Sequence, residues 1–138
     1  MNKTYLANQI NSSPTLFGKA GAVVDDIRFK AVTFNDEGKV ILAEAGKPAL
    51  GIAIATTGDP VGKVKVGDQV DIQIKDIGLA MAGGEVKAGA PVTIGTDGKL
   101  VTAASGNFIL GYAVTAAKAD GDIIQIQIAK GYYPTAAN

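Results

Sequence analysis

The residues of this chain able to do chemistry fall into a few recurring groups. Gly67-Asp68 and Gly121-Asp122 each stand before an alternating stretch, where an aspartate could serve as an acid or a metal ligand. The two aspartates occupy matched places in a longer repeat, however, and Asp in such places typically bonds its own following backbone and fixes a turn. Asp25-Asp26 and Asp36-Glu37 are adjacent carboxylates. Neighbours on a strand point to opposite faces, so neither pair is preset to share a proton or a cation. Lys39 and Lys99 each follow a turn glycine and suggest an anion site, although Lys is also common at an exposed strand start. Ser105-Gly106 and Ser12-Ser13 offer hydroxyls, but a serine nucleophile needs a base to activate it.

The usual base is missing, because the chain has no His and no Cys. That removes the common ligands of structural zinc, copper and haem, together with disulfides and thiol nucleophiles. The sequence therefore predicts no catalytic residue, no cofactor-binding residue, no metal ligand and no enzyme activity. Thirteen basic residues balance thirteen acidic ones, and no run of like charge occurs. This gives no electrostatic footprint for nucleic acid or an anionic membrane. No apolar run approaches the roughly 20 residues of a membrane span, and Met1-Asn2-Lys3-Thr4-Tyr5 is unlike a signal peptide. A soluble protein made in a reducing cytoplasm is expected.

The elements that must position these residues read as β. Apolar residues make up 47% of the chain, enough for one packed domain. Ile27-Arg28-Phe29-Lys30 alternates and runs into Ala31-Val32-Thr33-Phe34. Asn35-Asp36-Glu37-Gly38 then turns into Lys39-Val40-Ile41-Leu42, a hairpin by its turn chemistry. Leu50-Gly51-Ile52-Ala53-Ile54-Ala55 is a short apolar run of strand length whose Gly51 marks a bulge or a close backbone approach. Val70, Ile72 and Ile74 alternate with polar residues, as Ile124, Ile126 and Ile128 do later, giving half-buried strands. No longer stretch keeps a helical period.

These elements occur twice. A shift of sixty places lays Val92-Thr93 on Val32-Thr33, Gly98-Lys99 on Gly38-Lys39 and Leu110-Gly111-Tyr112-Ala113 on Leu50-Gly51-Ile52-Ala53. A shift of fifty-four then lays Gly121-Asp122 on Gly67-Asp68. Two copies are too few for a solenoid. The reading is one all-β domain, a small barrel or sandwich over residues 23–130, built from related units at 31–74 and 91–128. Residues 1–22 form an N-terminal arm with scattered large apolar side chains, and residues 131–138 form a C-terminal tail.

Two family likenesses follow from particular segments. Val64-Lys65-Val66-Gly67-Asp68-Gln69-Val70 with Gly78-Leu79-Ala80-Met81-Ala82 resembles the approach to the modified lysine of biotinyl and lipoyl domains. The lysine itself is missing: Lys75 and Lys87 lie away from the turn. A second likeness covers Val23 to Lys130. Leu50-Gly51-Ile52-Ala53, Gly67-Asp68-Gln69-Val70, Ala88-Gly89-Ala90-Pro91-Val92, Gly98-Lys99 and Leu110-Gly111-Tyr112-Ala113-Val114 resemble segments of the tailed-phage capsid decoration, or cement, proteins.

That resemblance implies a β-tulip-like body that binds the outer surface of an icosahedral phage head. The partners it implies are the major capsid protein and the chain itself, as a homotrimer, with no nucleic acid and no membrane. The expected action is to stabilise the capsid by bridging neighbouring capsid subunits. The alternative is a non-catalytic carrier or ligand-binding β module, biotinyl- or lipoyl-like or a head-fibre base. Tyr5, Leu6, Ile10, Leu16 and Phe17 are the candidate contacts in the arm, and Tyr112, Tyr132 and Tyr133 those nearer the C-terminus, since Tyr favours interfaces.

Overall fold

The computed structural model describes residues 13–54 and 61–135. Ten strands run in chain order: β1 (Thr15–Lys19), β2 (Ala31–Phe34), β3 (Val40–Leu42), β4 (Gly51–Ala53), β5 (Gln69–Gln73), β6 (Ile77–Met81), β7 (Pro91–Ile94), β8 (Leu100–Thr102), β9 (Phe108–Ala113) and β10 (Ile123–Tyr132). The all-β expectation holds; the helical content among the described residues is a single 3-10 turn at Thr96–Gly98.

The strands form two five-stranded antiparallel sheets with the orders β1-β5-β4-β2-β3 and β6-β10-β9-β7-β8. Adding five to each strand of the first order gives the second, so the repeat in the sequence is a repeat of topology. Neither sheet closes into a barrel ladder, and the two-sheet arrangement is that of a sandwich. Each sheet is nevertheless curled until its edges touch at one end. Single parallel bridges join Ala20 to Val40 in the first unit and Ala82 to Leu100 in the second.

The sequence dictates this curl through its inward faces. Val70 and Ile72 on β5, and Ile124 and Ile126 on β10, are fully buried while the residues between them face outward, the period-two pattern of a half-buried strand. Val32, Val40, Val64, Val70 and Ile72 form the core of the first unit. Val92, Ile94, Leu100, Leu110, Ile124 and Ile126 form that of the second, which also takes in Ala31, Ala43, Ala49 and Ile52 from the first. The first unit thus turns part of its outer surface onto the second. Gly51 and Gly111 explain a shared feature of both sheets: a Cβ at either would lie 2.0 Å from the carbonyl oxygen of Gln73 or Gln127. The close backbone approach expected at Gly51 is present.

Three stretches differ from the sequence reading. Thr15–Lys19, assigned to the arm, is a strand of the first sheet with Leu16 opposite Ile72. The position of β1 as an edge strand, outside the matched segments, hid it. β10 continues to Tyr132 past a bulge between Ile128 and Gly131, beyond the expected start of the tail. Ile27–Lys30 is not a strand: Lys30 N–H donates to Ile27 O at 3.3 Å and Phe29 has φ 66°. Asp26 forces that turn by accepting the Arg28 N–H at 3.1 Å and binding its guanidinium with both carboxylate oxygens.

Candidate functional site

The residues singled out for chemistry are held as structural parts. Asp68 Oδ2 accepts the Lys65 N–H at 2.8 Å, and Asp122 Oδ2 accepts those of Lys118 at 2.8 Å and Ala119 at 3.1 Å. Both aspartates fix turns, as expected, but they bond backbone that precedes them rather than backbone that follows. Lys99 Nζ lies 3.0 Å from Asp120 Oδ1 on the surface. Asp26 is paired with Arg28, whose hydrogen bond holds the carboxyl below its ordinary value against a smaller opposing effect of burial. Asp36 and Glu37 are exposed in the first hairpin turn. Ser105 Oγ donates to Pro134 O at 3.2 Å. Among the described residues no group of three or more acidic, His or Cys side chains could hold a metal, and no helix is long and apolar enough to cross a membrane.

Surfaces carry more information than these groups. The outward face of β6, β10 and β9 sets Ile77, Gln127 and Tyr112 in one row, with Leu79 and Gln125 in the next. Ile77, Leu79, Tyr112, Val114 and Ile123 are all exposed there, and none of these three strands places a charged residue on that face of the shared ladder. The matching face of the first sheet is different. It presents Thr15, Phe17 and Lys19 on β1 and Gln69, Asp71 and Gln73 on β5, with Ile52 on β4. A contiguous exposed apolar patch on a folded chain marks an interaction surface.

The candidate contacts are distributed unevenly. Phe17 is 65% exposed and Tyr112 44% exposed. Leu16, by contrast, is partly buried against the first unit's own core. Its inward direction follows from its place opposite Ile72. Tyr132 is largely exposed and meets Phe108 edge to face at 5.7 Å. Tyr133 is tied by backbone bonds in both directions, donating to Asn107 O at 2.9 Å and accepting from Gly106 N–H at 3.1 Å. Tyr5, Leu6 and Ile10 lie outside the described residues.

A family model of phage cement proteins matches residues 21–128. The chain belongs to the phage cement protein family. The match runs from just after β1 to Ile128 and takes in the rest of both units, which makes this chain a phage virion structural protein located on the capsid. No match was found among curated proteins. Among solved structures the chain is similar to the N base of the head fibre of bacteriophage phi29, with a TM-score of 0.62 and 24% identity over 83% of this chain and 92% of that one. At that identity the likeness shows a shared fold.

For a cement protein, the sequence missed one relevant surface residue, Leu79, and one relevant backbone feature. Phe29 stands in the first unit where Gly89 stands in the second, and both have positive φ, 66° and 85°. Both also donate to equivalent carbonyls, Phe29 to Ala53 at 3.0 Å and Gly89 to Ala113 at 2.7 Å. The sixty-place shift was the signal that could have found the turn.

Proposed function

We propose that this cement protein binds the outer surface of the phage head as a homotrimer and stabilises the shell by bridging neighbouring major capsid protein subunits. The observation that carries the reading is the family match over residues 21–128 of a stiff two-unit β body with large apolar side chains at its surface. It acts without turnover, metal or cofactor, and it is made in the host cytoplasm. The anchors are placed in the segment ahead of β1, where Tyr5, Leu6 and Ile10 stand. That segment leads directly into an edge strand of the first sheet, where an added strand gains main-chain hydrogen bonds and side-chain pockets give register. Three such segments on one trimer turn modest single contacts into long-lived attachment.

The test is a deletion of residues 1–12 mixed with undecorated heads. The deletion stops there because β1 begins at Thr15 and belongs to the sheet. The truncated protein is expected to stay folded and to lose most of its occupancy on heads. Full occupancy would move attachment to the β body or to the Tyr132-Tyr133-Pro134 segment.

A further inference from the structure

We propose that the outer face of the second sheet around Tyr112 and Gln127 is the seat for β1 of a second copy of this chain, with Phe17 as the inserted side chain. This deepens the homotrimer reading above and rests on it.

The argument comes from how the two units already meet within one chain. The second unit lays its first strand, β6, against the outer face of β4 and β5. Gln73 Nε2 donates to Ile77 O at 2.9 Å, and Gly78 is so close that a Cβ there would lie 2.5 Å from Gln73 Oε1. Leu79 lines a cavity of about 100 Å³ with Phe29, Ile52 and Gln73, and Met81 N–H donates to Phe29 O at 2.8 Å. The result is that Ile52 is 1% exposed.

By topology, β6 corresponds to β1, Leu79 to Phe17, Ile52 to Tyr112 and Gln73 to Gln127. The second unit has the same receiving face, without charge, and among the described residues no following unit covers it. The first unit has the same entering strand, with a larger apolar side chain where Leu79 stands. Receiver and inserter are both present and both exposed on one molecule. They are different patches, so one copy's Phe17 reaches the next copy's Tyr112. A head-to-tail contact of this kind forms a ring if its rotation closes. On the homotrimer reading, three copies close it.

The absence of cysteine makes the test clean. Phe17→Cys and Tyr112→Cys are prepared as separate full-length variants, both at exposed positions. Each is treated with a short bismaleimide alone and after mixing with the other. Cross-linked dimer from the mixture, and little from either variant alone, is the expected result. With both substitutions in one chain, the ladder should stop at three. Equal cross-linking of either variant with itself would mean a two-fold contact and would overturn the proposal. So would a protein that sediments as an oligomer without the mixed product, or as a monomer at every concentration. Tyr112→Asp should weaken self-association ~10-fold or more, because an unpaired carboxylate would be buried. The capsid reading fails separately: it is lost if wild-type protein does not decorate heads. It stands if Phe17→Asp still decorates them while self-association disappears, an outcome that also places the contact where proposed.

Discussion

The two units share one topology and differ in what covers them. In the second unit the mouth of the curl is closed by the first: Gly46 N–H donates to Ile94 O at 2.9 Å, Phe108 N–H donates to Gly46 O at 3.1 Å, and Ile94 is 1% exposed. The matching Phe34 of the first unit is 39% exposed. At the other end the relation is reversed. The turn at Gly46 is used by the next unit, whereas the matching turn at Gly106 is used by the chain's own Tyr133. The extension of β10 therefore takes the place at which a third unit would begin, as terminal caps do in repeat proteins.

The comparison is broken most severely at the glycines that both units share. Gly51→Ala and Gly111→Ala should each cost about 3 kcal/mol or more, because the new Cβ meets a backbone carbonyl oxygen rather than a movable side chain. Urea unfolding checks this, and a mild effect at one site would show that the sheets are not equivalent there. The next test separates the units. Ile52→Ala should cost about 3 kcal/mol, the usual range for a buried Ile, whereas Tyr112→Ala in dilute protein should cost less than about 0.5 kcal/mol. Equal losses would mean that the two faces are equally covered.

Smaller effects sharpen the same comparison. Gly89→Ala has open space around it, so only the backbone conformation resists, and about 1 kcal/mol of destabilisation is expected by thermal denaturation. Phe29 already carries that conformational cost in the first unit. The smallest effect is acid sensitivity. The Arg28 pair lowers the Asp26 carboxyl below its unfolded value, so its contribution is present above that value and lost as pH falls through the folded one. The second unit has Val86 and Ala88 at the matched places. Asp26→Asn should therefore remove a small part of the stability difference between neutral and acid pH, read from unfolding curves at both.

How much of this was legible in the sequence depended on which signal each residue carried. The hairpin at Asn35–Gly38 and its copy were readable because turn residues stood between alternating runs, and Asn35 Oδ1 indeed accepts the N–H groups of Glu37 and Lys39. β5 and most of β10 were readable from period two. β1 was not, because Thr15-Leu16-Phe17-Gly18-Lys19 matches β6, its structural counterpart, at no equivalent position. The strand at Ile27–Lys30 was misread because alternation there arises from a turn that a local Asp–Arg pair imposes. Exposed Tyr112 and Phe17 were picked as contacts by residue type. Leu79 was not, since nothing local distinguishes an outward Leu on a strand from an inward one before the sheet order is known.

The claim that the chain reinforces a shell is tested most directly on the shell itself. Undecorated heads would be saturated with the wild-type protein, and survival of packaged heads after heating or osmotic shock compared with that of bare heads. Anything that binds the assembled state in preference to its dissociated parts stabilises that state by mass action. Decorated heads should lose their DNA at a distinctly higher temperature, and the gain should vanish when residues 1–12 are removed. Heads that are fully decorated yet release DNA at the same temperature as bare ones would contradict the account.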